Sequence, residues 1–337
     1  MHERRVLAVD LGGTKTAVGV VDSEGRIVAR ETAPTPLSSF AASLDLIVSL
    51  CHLVLSRAGP VEGLGLALPG IVDRQKGILL RSPSSGWTDA PFGEAVAEAL
   101  GLPARCDNDV NACALAEALF GAGRGLSSFF WMTVSTGIGG AVCIDGSVFP
   151  GSRGMAGEVG HLVVADGGAL CGCGNRGCLE AEAAGPAWRR KALAHLDAGV
   201  YSAGYLGGLP REEVEARTIA DGARRSDPLC LEVLRDVGSA LARGVAAISN
   251  IFDPEAVILG GGIASAFDLL TPHIERGAAA LSFQTLGPQQ KLLPSALGRD
   301  AALIGAAALV LHHWNQNHRL DNHTQRSSPS QDLHLDI

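Results

Sequence analysis

Two stretches of this chain share one plan. Residues 5–32 read strand, glycine turn, strand, acidic-glycine turn, strand: RVLAVD, Gly12 and Gly13, AVGVVD, SEG, RIVARE. The plan returns at 129–150 as FFWMTV, STGIGG, AVCID and a DGS turn. Matching Gly12 to Gly137 gives a spacing of about 125 residues, so the chain reads as two related halves. Each half continues with alternating helices and strands, the pattern of a layered α/β architecture.

Hydrophobic spacing places the helices. Leu44, Ile47, Val48, Cys51, Val54 and Leu55 form a helical stripe within 40–57. PFGEAVAEAL at 91–100 opens on proline and stops before Gly101, and VNACALAEALF at 110–120 is helical again. A long amphipathic helix covers 229–252 behind Pro228, AVILGGGIA at 256–264 is a strand running into a glycine loop, and 300–312 is a last helix. From Asn315 the chain turns polar, and 315–337 is expected to be a disordered tail.

Composition removes several classes. Net charge is −8 without a lysine- or arginine-rich run, which disfavours nucleic acid as a partner. No apolar run approaches the ~18 residues needed to span a bilayer. MHERRVLAVDLGG is not a signal peptide, so the cytoplasm is the expected location and thiols are expected to stay reduced. Three of the eight cysteines fall within 171–178, ten residues and more after His161, which favours a metal there over a disulfide. Cys51, Cys106, Cys113, Cys143 and Cys230 lie in apolar segments and read as ordinary buried thiols.

Three glycine loops suit phosphate. In DLGGTK, Gly12 and Gly13 let the backbone approach an anion, Thr14 and Lys15 add donors, and Asp10 suits a hydrated Mg²⁺. STGIGG holds Thr136, Gly137 and Gly139 at the equivalent place in the second half. GGGIA offers Gly261 and Gly262 ahead of a helix, where a nucleoside and its α-phosphate would lie on bare backbone. Each alone also reads as a plain turn; the pair of hairpins is more specific than either. DNDVN at 107–111 precedes a helix, so one of its polar residues serves as N-cap, and an aspartate there aimed into a cleft would act as general base in phosphoryl transfer.

Together DLGGTK (10–15), DND (107–109), TVSTGIGG (133–140), GEVGH (157–161), CGCGNRGCLE (171–180) and LGGGIA (259–264) resemble the ROK family of the hexokinase–actin ATPase superfamily, over roughly residues 5–312. The resemblance implies an actin-like, ribonuclease H-like α/β fold with a cleft between two domains: 1–112, joined by the helix 300–313, and a larger 113–299 carrying a zinc loop. It implies that Asp109 is the base that activates a hexose 6-hydroxyl. Asn108, Glu158, His161 and Glu180 would contact the sugar, as would the segment holding Ser85 and Gly86. His161, Cys171, Cys173 and Cys178 would form a closed structural Zn²⁺ site, with Nδ1 of His161 on the metal and its other nitrogen toward the sugar. ATP with Mg²⁺ is the implied donor system, and a homodimer the implied assembly.

Two departures bear on this. Ala141 stands where a third glycine is common after GIGG, and PSSGW at 83–87 offers Ser84 and Ser85 where relatives often carry asparagine. The leading expectation is a glucose 6-kinase, with N-acetylmannosamine or N-acetylglucosamine as alternative acceptors. Fructose or mannose as acceptor, and polyphosphate as donor, stay open. A sugar-sensing transcription regulator would need a further DNA-binding domain before the first hairpin. A catalytically silent sugar binder would have no use for Asp109 and two phosphate loops.

Overall fold

The computed structural model describes residues 4–82, 85–201, 204–283 and 290–326, with side chains in the last helix as far as Trp314. Ser84 therefore lies outside the described residues. The first half runs β1 (Arg5–Leu11), β2 (Lys15–Asp22), β3 (Ile27–Pro34), α1 (Phe40–Ala58), β4 (Leu64–Leu68), β5 (Ile71–Asp73), β6 (Ile78–Arg81), β7 (Thr88–Ala90), α2 (Phe92–Leu100), β8 (Ala104–Asn108). Helix α3 (Asp109–Phe120) crosses to the second half. There follow β9 (Ser128–Val134), β10 (Ile138–Ile144), β11 (Ser147–Phe149), α4 (Leu179–Ala183), α5 (Gly185–Asp197), α6 (Ala216–Arg224), α7 (Pro228–Phe252), β12 (Ala256–Gly260), α8 (Phe267–Leu281), β13 (Lys291–Pro294) and α9 (Ala301–Arg326).

The duplication is complete at the level of the sheets. One has the order β3-β2-β1-β4-β8 and the other β11-β10-β9-β12-β13. In each, the hairpin strands pair antiparallel and the two later strands add in parallel. A strand covered on both faces needs apolar residues at successive positions, which is why β1 and β9 read as continuous runs rather than alternations. Leu7, Val9 and Leu11 join α1 in one core, whereas Val6 and Ala8 pack with Leu303, Ala306 and Val310 of α9 in another. Likewise Phe130 and Met132 face the helices α5 to α8, while Phe129 and Trp131 face Ala114 of α3.

Small residues let the crossing helices sit close. A Cβ on Gly305 of α9 would stand 2.3 Å from the Ala112 carbonyl oxygen of α3, and one on Gly65 of β4 would stand 1.8 Å from that of Ala306. Helix α9, last in sequence, thus packs on the first sheet and on α3.

Three features differ from expectation. A small third sheet, β5-β6-β7, was not foreseen, because its strands are only three or four residues long. Helix α1 is long and apolar enough by composition to cross a membrane. Its Ile47, Leu50, Cys51 and Val54 instead pack on the first sheet, as a core helix does. Helix α9 continues to Arg326, so residues 315–326 extend it rather than joining a disordered tail. That stretch carries no proline or glycine to end a helix. Residues 327–337 lie outside the described residues.

Candidate active site

The second glycine hairpin, between β9 and β10, is the hub of the site. A Cβ on Gly139 would stand 2.9 Å from Val110 Cγ2, so the start of α3 packs on it. On Gly160 a Cβ would reach within 1.9 Å of the Ile138 carbonyl oxygen, and on Gly157 within 2.3 Å of that of Gly140. The GEVGH turn therefore sits backbone to backbone against the same hairpin. Glu180, first turn of α4, accepts a hydrogen bond from the Ile138 amide through Oε2 at 3.0 Å. A side chain on Gly137 would collide with that carboxylate, at 2.6 Å. Ser135 accepts from the amide of Gly185 at 2.8 Å, and Thr136 at the tip is exposed.

The third loop meets the hub from the other side. Gly261 has φ +82°, and a Cβ there would lie 2.7 Å from both Thr133 Oγ1 and the Val134 carbonyl oxygen. Only glycine satisfies both the left-handed backbone and that approach. Gly262 stands next to Ser135, 3.5 Å from its hydroxyl measured from the same ideal Cβ. In the first hairpin the Gly12 amide donates to the Lys15 carbonyl at 3.0 Å, and Thr35 donates its hydroxyl to the Gly12 carbonyl at 2.8 Å. Gly13 lies half-buried between them, with Thr14 and Lys15 exposed at the tip.

Two carboxylates stand between these loops. Asp10 ends the buried run of β1 and Asp109 opens α3. Burial pushes the Asp10 carboxyl up to about 7; the nearby Asp109 charge adds to this, and Lys15 and Arg30 oppose it. Burial likewise pushes Asp109 up to about 6, against hydrogen bonds from the start of its own helix. Two mutually repelling acids whose burial Lys15 and Arg30 only partly offset suit either a proton or a cation.

The rest of DND also holds the fold together. Asn108 caps α3, accepting from the amides of Val110 at 2.8 Å and Asn111 at 3.3 Å. Its Nδ2 donates to the Gly70 carbonyl at 2.8 Å. Its amide group, expected at the sugar, is thus largely engaged in holding α3 to the β4–β5 turn. Asp107 is buried and paired with Arg74 at 2.9 Å, and it accepts from Asn111 Nδ2 at 3.0 Å. Sequence reasoning missed Arg74 and Asn111, since an exposed-looking arginine in a short turn carries no signal of its partner.

The expected ligand set comes together. One ligand atom from each of His161, Cys171, Cys173 and Cys178 lies within 4.8 Å of the others. Cys173 Sγ and Cys178 Sγ are 3.7 Å apart, and Cys171 Sγ is 3.7 Å from His161 Nδ1. Two metal–sulfur bonds of about 2.3 Å at the tetrahedral angle hold their sulfurs about 3.8 Å apart, so the donor set and its spacing fit a tetrahedral soft ion. His161 Nε2 points away from the cluster, 4.0 Å from Glu158 Oε2. Glu158 is largely exposed. Cys171 also donates to Glu180 Oε1 at 3.7 Å, which joins the cluster to the hub. Ser85 and Gly86 lie in the β6–β7 turn, where Ser85 Oγ accepts from the Trp87 amide at 3.5 Å and Gly86 donates to Ser82. Ala141 is fully buried with Trp131 and Ala114 on the face of its sheet that packs on α3, so its methyl group belongs to the core.

Duplicated sheets, paired glycine hairpins and a helix that presents an acid between them define the actin-like ATPase fold of sugar kinases. A profile of the ROK family matches residues 6–313, and the chain belongs to that family. It is 35% identical over 314 residues to the glucokinase of Thermotoga maritima, covering 92% of this chain and 98% of that one. A ROK glucokinase from Streptomyces griseus, solved with glucose and AMPPNP, superposes with a TM-score of 0.78 at 34% identity, over 90% of this chain and 98% of that one. A xylose repressor of Bacillus spizizenii is 29% identical over 91% of this chain, which spans 77% of the repressor.

Proposed function

We infer that the protein is an ATP-dependent hexose kinase that phosphorylates the 6-hydroxyl of glucose. One observation carries this: the second hairpin holds the GEVGH turn, Glu180, the third glycine loop and the start of α3 against a single stretch of backbone. Groups suited to a sugar and groups suited to a nucleotide are thereby fixed around Asp109. Glucokinases among the relatives support glucose over the N-acetylhexosamines.

The chemistry needs few groups, because phosphoryl transfer is chiefly positioning and charge stabilisation. Asp109 takes the proton of the sugar O6 hydroxyl. That oxygen then forms a bond to the γ-phosphorus while the bond to the β-phosphate oxygen breaks, and ADP leaves with the electron pair. Backbone amides at the two hairpin tips, Gly13 and Thr14 in the first and Thr136 and Gly137 in the second, would face the terminal phosphates, with Lys15 as a further cation. Gly261 and Gly262 make the floor for the nucleoside side. Glu158, His161 and Glu180 orient the sugar hydroxyls.

Asp10 fits a hydrated Mg²⁺, since its burial beside a second carboxylate outweighs the opposing charges of Lys15 and Arg30. That ion would supply charge neutralisation on the phosphates. The three thiols and imidazole fit Zn²⁺, which would fix the His161 ring and the loop bearing Glu180. The family resemblance further supports a cytoplasmic homodimer, which light scattering would show as twice the 34.7 kDa of the chain. Incubation with ATP, Mg²⁺ and glucose, read by phosphorus NMR, tests the activity: the expected product carries its phosphate on O6. A product phosphorylated at O1, or none, refutes the assignment.

A further inference from the structure

Glu117 is a fully buried carboxylate two turns along α3 from Asp109. Among the described residues no cationic side chain pairs with it. Four donors surround it instead. Oε1 accepts from the Ser295 hydroxyl at 2.5 Å and the Leu297 amide at 3.3 Å. Oε2 accepts from the Ala122 amide at 2.6 Å and the Ala296 amide at 3.4 Å. A buried charge is tolerated only when its hydrogen-bonding capacity is met, and here three of the four donors, Ser295, Ala296 and Leu297, belong to one distant turn, while Ala122 follows α3 itself. The surroundings are shaped for it. A Cβ on Gly121 would stand 1.9 Å from Oε2, so the residue after α3 must be glycine while the carboxylate is in place.

The partners matter because of where the chain crosses. Helix α3 carries it from β8 of the first sheet toward β9 of the second. Residues 295–300 carry it back from β13 of the second sheet to α9, which packs on the first. Glu117 fastens one crossing to the other. Asp300, at the end of the same return turn, also pairs with Arg30 of β3.

We propose that Glu117 is a positioning residue for phosphoryl transfer: it ties α3, and with it Asp109, to the 295–298 turn, so that both crossings move as one piece when the halves close on substrate. The proposal rests on the kinase reading above. It requires that breaking the tie misplace Asp109 relative to the phosphate without altering the sugar site itself.

The test is Glu117→Gln, which keeps shape but turns one acceptor into a donor facing N–H and O–H groups. Kinetics are measured at 25 °C on folded, zinc-loaded protein, with small-angle scattering with and without glucose plus a non-hydrolysable ATP analogue. The expected result is a kcat at least tenfold lower, a glucose Kd within twofold of wild type, and loss of the ligand-induced compaction. Ser295→Ala, which removes one donor from the other side, is expected to lower kcat about threefold with the same split, and it carries the test if Glu117→Gln does not fold. Lowered thermal stability with unchanged kcat and unchanged compaction in the folded variant would overturn the proposal and leave Glu117 a purely structural residue. Wild-type protein that phosphorylates no sugar would instead overturn the kinase reading, whatever the variants do.

Discussion

Replacing Asp109 by Asn is expected to abolish turnover and at the same time stabilise the protein. The structure sets the size of the second effect. Burial raises the Asp109 carboxyl from 3.8 to about 6, so the folded state holds its proton more tightly than the unfolded one. A group shifted in this direction favours folding most below its unfolded pKa, and that contribution is lost as pH rises from about 4 toward 6. Two units at ~1.4 kcal/mol each place the cost of the charge near 3 kcal/mol at pH 8. That figure is already net of the hydrogen bonds from the helix start that favour the charge, so the burial penalty wins. Asn removes the charge and keeps an oxygen for the helix amides. Its stabilisation is therefore expected to be about 1–3 kcal/mol at pH 8, a rise of about 2–5 °C in Tm for a chain of this size, and about 2 kcal/mol less at pH 4.5, where roughly a third of the charge penalty remains. Loss of a general base lowers kcat by about 10²- to 10⁴-fold. Thermal melts at both pH values beside a coupled ADP-release assay decide the matter. A stability gain equal at both pH values, or turnover near the wild-type rate, would refute the reasoning.

Stripping the metal with a chelator, or changing Cys173 to Ser, is expected to raise the glucose KM and lower Tm together, because the cluster holds both His161 and the loop bearing Glu180; an unchanged KM in metal-free, folded protein would argue against that support. Gly261→Ala puts a methyl 2.7 Å from two oxygens in a left-handed backbone, so the ATP KM should rise at least fivefold with the glucose Kd held within twofold, both read by titration. Arg74→Ala leaves the Asp107 charge buried without its partner and is expected to cost about 3 kcal/mol in chemical denaturation, with Arg74→Lys recovering part of it; no loss would mean that water replaces the guanidinium.

Much of this architecture was legible in the residues. The repeated hairpins gave the paired sheets, because β1 and β9 are buried on both faces and so appear as unbroken apolar runs that glycine loops punctuate. The ligand cluster was legible from thiol spacing, since four soft donors so close together have few other uses. The supports were not. Arg74 and Asp107 are paired across 33 positions, and Glu117 meets Ser295 across 178, and neither pairing leaves a periodic mark. Asn108 is a case of double duty: the family resemblance implies a sugar contact and its residue type an N-cap, and the fold uses its oxygen to cap α3 and its nitrogen to hold Gly70. The reach of α9 past Asn315 was hidden because polar composition suggests solvent exposure and does not by itself interrupt a helix.

The central claim is that Asp109 activates a hexose 6-hydroxyl against ATP held by the glycine loops. Its most direct measurement is sugar-dependent ADP release by wild type and Asp109→Asn across glucose, mannose, fructose, N-acetylglucosamine and N-acetylmannosamine. The account predicts the highest kcat/KM for glucose in wild type and at least a hundredfold loss in the variant, with glucose still bound. ADP release that no sugar stimulates, or that persists in the variant, would contradict it.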